Sequence, residues 1–575
     1  MDPSVLPQPS AVGTTHGPGP VLNVTVSGGG PVGLSLALLL EHLMDRRVSV
    51  TVYDGRWTRD GARVVWKDAR QGNARRQQVV TIQSRQFLNL PREVQERLFS
   101  GNSYSEMWPP GTDSIRGLGP RNLRIAYLED TLLELANQKP DRIRLIPTRF
   151  HPDERRESLA GSQVLAVCEG RRSRTREYFA DRFGRADESI YSLNGEHLQD
   201  VVLGLRVKST LPDPMSVLLT VAQNRFLLNS LRGEGFLNMR LTDAEAREVV
   251  AVGIDPARYM FEDCIAARSC SMTRDGRGDF RCPMHDALFL PALVKNSALW
   301  KRVLEGLALF GVAEKDLSTV TAFRLDMVQR PRFTAQLLSA TSTTPGTHGF
   351  LLGDAANAIH FWPGRGLNSG LASAISLARS LERAWRGRTL RDADFVRHEA
   401  VMSMLQYRHK TRAWNAMVTT DEHGVVCAIK DKIARSIEET QERMQEQDGE
   451  SPDTSDTVFD ALLERLRAIR GRLAPRVPGM PDDAILSEHL HTLKGETLRT
   501  LLESGAWDTF IVAGEEVDID LLYRTDPSPA PGALAALAAL ASPAVRAVHQ
   551  AQAQTPASPI NTCGHEVPAP QYRAH

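Results

Sequence analysis

Between Val21 and Val26 the chain is mostly apolar, then breaks at a glycine cluster and resumes as Leu34-Ser35-Leu36-Ala37-Leu38-Leu39-Leu40. The first stretch predicts a buried strand and the second the opening of a buried helix. Val48-Ser49-Val50-Thr51-Val52-Tyr53 predicts a second strand that ends at Asp54. Strand, helix and strand in this order predict a βαβ unit at the head of an α/β domain. Further on, Leu128 to Ala136 predicts a helix and Val164 to Cys168 another strand.

The pattern changes between residues 183 and 336. Val217-Leu218-Leu219-Thr220-Val221 and Arg225 to Asn229 read as strands. Arg232-Gly233-Glu234-Gly235 reads as a turn leading into Phe236 to Leu241, which predicts a hairpin. The α/β pattern returns at Phe350-Leu351-Leu352-Gly353-Asp354, and a helix is expected from about Ser369 to Arg386. Beyond residue 400 the chain reads as largely helical. Ile429 to Gln447 is charged, residues 448–456 form a Gly/Ser/Pro/Asp linker, and Val458 to Leu473 and Ala484 to Glu503 are amphipathic. Thr509 to Tyr523 reads as one or two strands.

The expected fold class is therefore α/β: a Rossmann-type domain with an inserted mixed-sheet domain and a mostly helical C-terminal extension. The boundaries are a disordered leader at 1–20, the first domain in two parts (21–182 and 337–400) and the inserted domain at 183–336. A helical region at 401–523 and a mobile Pro/Ala-rich tail at 524–575 complete the chain. No internal repeat is apparent.

Composition narrows the function classes. Lys+Arg and Asp+Glu balance at 69 each, which argues against a nucleic-acid-coating protein. No apolar run approaches the ~18–20 residues that span a bilayer. The Pro/Gly/Ser-rich start has no Lys or Arg and so lacks the basic region of a signal peptide. A cytoplasmic protein is expected, with no membrane insertion. Six cysteines in 575 residues do not make a disulfide framework. Cys264-x5-Cys270-x11-Cys282-x2-His285 lacks the usual close Cys-x2–4-Cys pair of zinc sites, so reduced thiols and no metal are expected.

Candidate chemistry begins at Gly28-Gly29-Gly30-Pro31-Val32-Gly33, between the first strand and helix. In Gly-x-Gly-x-x-Gly the first glycine permits a tight turn and the second lets a pyrophosphate approach the backbone. The third allows close strand–helix packing, and the helix N-terminus supplies partial positive charge. Asp54 follows Gly33 by 21 residues, where a carboxylate can accept ribose hydroxyls. A second signature is Glu169-Gly170-Arg171-Arg172-Ser173-Arg174-Thr175-Arg176. A third is Gly353-Asp354-Ala355-Ala356, continued by Pro363-Gly364-Arg365-Gly366-Leu367-Asn368-Ser369-Gly370. A carboxylate at a strand end suits a polyol, and a glycine-rich turn opening a helix offers N–H groups to an electron-rich ring edge.

In this order the three elements resemble the GxGxxG, DG and GD motifs of the class A flavoprotein monooxygenases, the p-hydroxybenzoate hydroxylase fold. The resemblance spans roughly residues 21 to 400. It implies FAD as cofactor, with Gly28, Gly30, Pro31, Gly33, Asp54 and Arg56 around the ADP half and Arg76 reaching the pyrophosphate. It places Gly353 and Asp354 at the ribityl chain, and Pro363, Gly366, Leu367 and Asn368 at the isoalloxazine. Glu169 and Gly170 stand where the family's Asp-Gly serves both FAD and NAD(P)H, with a longer acid here. The loop with Phe361-Trp362-Pro363-x-x-Gly366 is similar to that of the MICAL monooxygenases, which oxidise methionine side chains of actin. No LIM-spaced cysteine pairs or calponin-homology-like module accompany it, and the actin substrate is not carried over.

The resemblance implies NADPH or NADH as co-substrate and transfer of one oxygen of O₂ through a flavin C4a-hydroperoxide. The substrate is expected to be an electron-rich small molecule, aromatic or polyketide-like. Oxidation of a protein side chain, an oxidase or halogenase activity, and a non-catalytic interaction module with a protein partner on the C-terminal helices remain as alternatives. A halogenase normally shows Trp-x-Trp-x-Ile-Pro, which is absent. His360 and Trp362 are the candidate catalytic residues at the flavin and substrate face; His360 is equally compatible with a structural role. Arg171, Arg172, Arg174 and Arg176 are candidates for nicotinamide phosphates, and Arg225, Asn229, Asn238 and Arg240 for substrate contacts, with solvated surface as the plain alternative for each.

Overall fold

The structure is a computed structural model of the 575-residue chain. It describes residues 20–73, 75–106, 120–155, 159–186, 191–253, 264–265, 270–358, 365–421, 423–446, 452–474 and 479–506. The leader up to residue 19, the loop with His360, Trp362 and Pro363, the segment Thr509 to Tyr523 and the 524–575 tail lie outside the described residues.

The expected βαβ unit is present. Strand β1 (Leu22–Ser27) leads through the glycine turn into helix α1 (Pro31–Met44), which returns to β2 (Val48–Tyr53). Proline at the first helical position suits the start of α1, since its missing N–H has no intrahelical partner there anyway. Leu34, Leu36, Leu38 and Leu40 of α1 are all buried. The helix lies against α2 (Ile125–Asn137) and, much later in the chain, α3 (Arg365–Ala384).

Strands β3 (Ile143–Ile146) and β4 (Val164–Val167) extend this sheet on opposite sides. β1 pairs in parallel with both β2 and β4, and β3 in parallel with β2. The chain thus moves outward from β1 to one side, then crosses back to the other. That reversal puts a topological switch at the C-terminal end of β1, the place where open α/β sheets bind ligands.

The inserted region builds a second sheet. Its strands are β5 (Gln199–Lys208), β6 (Phe226–Leu231), β7 (Glu234–Arg240), β8 (Ala251–Gly253), β9 (Met272–Arg274), β10 (Phe280–Arg281), β11 (Ala287–Phe289) and β12 (Leu317–Asp326). They lie in the order β6-β7-β5-β12-β9-β10-β11-β8, antiparallel at each pairing. The predicted hairpin is β6–β7. Arg232 and Gly233 adopt φ of 52° and 80°, as a two-residue hairpin turn demands. The first sheet resumes with β13 (Thr334–Leu338) and β14 (Thr347–Leu351), giving the order β13-β14-β4-β1-β2-β3. β14 is parallel to β4, and β13 closes the edge antiparallel.

Two expectations differ from what the fold contains. Val217 to Val221 is the end of a helix, Asp213–Val221, and not a strand. Pro214 at its first turn and apolar Met215, Leu218 and Leu219 at helical spacing explain it; the apolar run alone carries no period. Ala484 to Glu503 is two helices, Asp483–His491 and Gly495–Glu503, divided at Thr492.

The helices from residue 452 onward complete the inserted domain. α4 (Val396–Met417) and α5 (Ile429–Glu446) are followed by α6 (Pro452–Leu473) and the two short helices. Leu462, Leu466, Ile469, Leu486, Leu490, Leu498 and Leu501 share one core with Leu218, Phe226, Trp300 and Leu307. Backbone ties reinforce it: Arg465 Nη1 donates to the Ala222 carbonyl (3.2 Å), and the Asn224 N–H donates to Ser504 Oγ (3.1 Å). The apolar stripes of the 458–473 and 484–503 stretches are therefore buried inside this chain, while Met404, Tyr407 and Ile485 on the C-terminal helices stay exposed. The described residues belong to one compact unit. Among the described residues no helix is long and apolar enough to cross a membrane.

Candidate functional site

Three signatures far apart in sequence meet at the C-terminal end of β1. Gly28 has φ 103°, and its N–H donates to the Tyr53 carbonyl (2.9 Å), fixing the turn to the end of β2. A Cβ on Gly28 would stand 2.6 Å from the Cys168 backbone, so the first signature packs on the second. Val32, one residue into α1, lies where Cβ atoms on Gly353 and Gly370 would come within 3.1 and 2.5 Å of its methyl group. That contact seats the third signature on the first.

Gly30 differs from its neighbours. Its φ of −77° suits any residue, and a Cβ there would meet no backbone. The nearest atoms are guanidinium tips, Arg56 Nη2 at 3.3 Å and Arg76 Nη2 at 3.8 Å. The open side of the turn thus faces two arginines at a helix N-terminus, an anion-binding arrangement.

Asp54, expected at the ribose, is engaged within the turn itself. Its Oδ1 accepts from the Arg56 N–H (2.8 Å) and Arg56 Nε (3.1 Å). Its Oδ2 accepts from the Gly29 N–H (2.9 Å) and Arg56 Nη2 (2.7 Å). Four donors fill the carboxylate's four lone-pair sites, so a ribose hydroxyl would have to displace one. Asp54 orders the turn and holds Arg56 over it.

Glu169 is likewise committed to the protein. It accepts from Ser27 Oγ (2.5 Å), Thr175 Oγ1 (2.9 Å), Ser173 Oγ (2.6 Å) and the Thr175 N–H (3.0 Å). The longer acid clips the end of β1 to the helix Arg174–Tyr178. Gly170 makes the intervening turn with φ 81°. Of the candidate phosphate arginines, Arg172 and Arg174 are exposed, whereas Arg176 is buried and reaches the Ala355 carbonyl (3.4 Å).

A residue not singled out in the sequence organises the cationic side. Glu129 on α2 is only 1% exposed and faces Arg56 (3.3 Å), Arg75 (3.6 Å) and Arg76. The available signal was a carboxylate one turn before Leu132 and Leu133, on the apolar stripe of an amphipathic helix.

Asp354 occupies the turn after β14. A Cβ on Gly366, at the start of α3, would lie 3.7 Å from its Oδ1. The carboxylate is open to solvent on one side and walled by protein on the others. Burial by that wall raises its pKa, while Arg76 and Arg171 oppose the rise. Arg76 thus acts on both the glycine turn and Asp354. Asn368 fixes the start of α3: its Oδ1 accepts from the Gln83 N–H (2.9 Å) and its Nδ2 donates to the Thr81 carbonyl (2.7 Å). Leu367 is half-buried beside it.

Of the candidate substrate contacts on and beside the β6–β7 hairpin, Arg225, Asn238 and Arg240 are buried and Asn229 is half-buried. Arg225 and Arg240 are fully buried, facing Glu245 (2.5 Å) and Asp200 (3.2 Å). Asn229 Nδ2 donates to the Val79 carbonyl (3.2 Å), and Asn238 is buried opposite Gly204. A cavity of about 910 Å³ lined by Arg332, Leu337, Asp392 and Glu399 lies at the β13 edge and includes none of the signature residues.

No protein-family model matches the chain, and no curated protein matches it. Among solved structures, 2-methyl-3-hydroxypyridine-5-carboxylic acid oxygenase aligns at 13% identity and a TM-score of 0.39, covering 69% of this chain and 92% of its own. CtdE in complex with FAD and a substrate aligns at 12% identity and 0.37, covering 68% and 87%. The rebeccamycin biosynthetic enzyme RebC with reduced flavin aligns at 17% identity and 0.37, covering 74% of each chain. Scores and identities this low carry no functional weight, which falls on the site residues instead.

Proposed function

We propose that this chain is an FAD-dependent monooxygenase that consumes NADPH or NADH and transfers one oxygen atom of O₂ to an electron-rich small molecule, aromatic or polyketide-like. The observation that carries the reading is the position of Arg76, between the open side of Gly30 and the Asp354 carboxylate. A dinucleotide with its pyrophosphate at the turn and its polyol at a strand-end carboxylate suits that arrangement.

The residues present fit such a group. Gly30 leaves space that only arginine tips border, and Asp354 keeps a solvent-facing carboxylate beside the first turn of α3. Arg56, Arg76 and the α1 N-terminus would bind the pyrophosphate; Asp54 and Glu129 orient those arginines. Asp354 would accept from ribityl hydroxyls, and Asn368 holds the backbone of Gly366 and Leu367 in place for the ring. When bound, FAD supplies the redox chemistry: reduced by the nicotinamide, it activates O₂ for transfer to the substrate. His360 and Trp362, just before α3 in sequence, complete the proposal as substrate-facing residues.

Anaerobic mixing of the purified yellow protein with NADPH and with NADH, followed by O₂ and candidate aromatic substrates, tests the reading. Bleaching of the flavin absorbance and an oxygenated product are expected. No flavin reduction by either nucleotide, with or without substrate, refutes a monooxygenase.

A further inference from the structure

One cluster outside the flavin site brings together three thiols and an imidazole. Cys264, Cys270, Cys282 and His285 come from three stretches of the inserted domain, and their ligand atoms all lie within 4.8 Å of one another. Cys264 precedes β9, Cys270 stands two residues before it, Cys282 follows β10, and His285 sits in the turn into β11. We propose that these four residues form a structural zinc site that fastens Cys264 and Cys270 to the β10–β11 hairpin, next to the edge strand β8 of the eight-stranded sheet.

The distances match that coordination. His285 Nδ1 lies 3.5 Å from Cys270 Sγ and 3.4 Å from Cys282 Sγ. Around a tetrahedral zinc, with Zn–S of about 2.3 Å and Zn–N of about 2.0–2.1 Å, neighbouring S and N atoms stand about 3.5 Å apart. A disulfide would instead draw two sulfurs to about 2.05 Å, and all three cysteines are free. Three sulfurs and an imidazole fill four positions, and the cysteines are at most 1% exposed. No position is left for water, the mark of a structural rather than a catalytic site.

Backbone N–H groups face two of the sulfurs. The backbone N–H groups of Met284 and His285 point at the Cys282 sulfur, and that of Ile265 at the Cys270 sulfur. Such N–H···S contacts spread thiolate charge and orient the ligands. Without a cation, three thiols and an imidazole would share weak hydrogen bonds inside a core of Met272, Phe280 and Phe289. Simple apolar packing of cysteine accounts for burial but not for the convergence on one imidazole nitrogen. Zinc is favoured over harder cations by the three sulfurs and over iron–sulfur clusters by the fourth ligand being histidine.

The site predicts about one zinc per chain in protein purified without chelator or a histidine tag, measured by elemental analysis. Titration of the native protein with an organomercurial should release that zinc to a colorimetric indicator as the three thiols react. Cys282→Ser should lose most of the metal, whereas Cys427→Ser, outside the cluster, should keep it. Wild-type protein with less than about a tenth of an equivalent of zinc, or with iron in its place, overturns the proposal. So does zinc retained in full after all three thiols have been blocked. None of these readouts needs bound flavin or turnover, so they stand or fall apart from the monooxygenase reading.

Discussion

Replacing Gly30 and Gly33 separately by alanine should divide folding from cofactor binding. A Cβ on Gly33 would stand 2.0 Å from the Gly28 carbonyl oxygen, at least 1 Å inside any real contact, and that oxygen belongs to a turn fixed at both ends. Overpacking typically costs about 1–3 kcal/mol, and a rigid backbone partner puts Gly33→Ala at or above the top of that range. Gly30→Ala meets only guanidinium tips and keeps an allowed φ. Reduced chain entropy in the unfolded state would gain about 0.4–1 kcal/mol, and the poorer N-cap would lose about as much. Its net effect on stability is therefore close to zero. The new methyl group, however, stands where a phosphate oxygen has to reach the turn. Loss of one charge-assisted hydrogen bond, about 1.5–3 kcal/mol, weakens FAD binding roughly 10- to 150-fold. Urea unfolding of the apoprotein reads the first effect, and quenching of flavin fluorescence reads the second. Full FAD affinity in Gly30→Ala would refute the pyrophosphate placement, and unchanged stability in Gly33→Ala would refute the packing argument.

Asp354→Ala should yield largely colourless protein of normal fold; full flavin retention would show that the ribityl contact lies elsewhere. Glu129→Gln removes the buried charge facing Arg56, Arg75 and Arg76. Because the arginines are partly solvated, the loss should be about 2 kcal/mol, below the ~3–5 of a fully buried pair, and an unshifted urea midpoint would contradict this. His398 is buried beside Ser376, and burial pushes its pKa down to about 3. The unfolded chain takes up that proton near pH 6.5 and the native chain does not, so stability falls as pH drops below about 6.5, by up to ~1.4 kcal/mol per unit. His398→Asn should flatten that slope between pH 7 and 5, and an identical slope in the variant would assign the effect to other groups.

Several features follow from sequence because they are local. The βαβ opening, the Gly28 turn and the Arg232-Gly233 hairpin rest on short apolar runs and on backbone angles that few residues adopt. The same short range explains the misreading at Val217 to Val221, where five apolar residues fit a strand and a helix end equally well and Pro214 upstream decides. Tertiary structure alone settled which groups satisfy which. Asp54 and Glu169 have the residue type and position of ligand carboxylates, yet their lone pairs are taken by Arg56, Gly29, Ser27, Ser173 and Thr175. It also brought Glu129 beneath the arginines, sent the 452–505 helices into the core of the inserted domain, and gathered three scattered cysteines around His285. These outcomes depend on contacts between residues far apart in the chain, such as Asn224 with Ser504, 280 positions away. Composition and spacing announce a carboxylate or a thiol; only the packed chain determines how many donors, charges or ligands surround it.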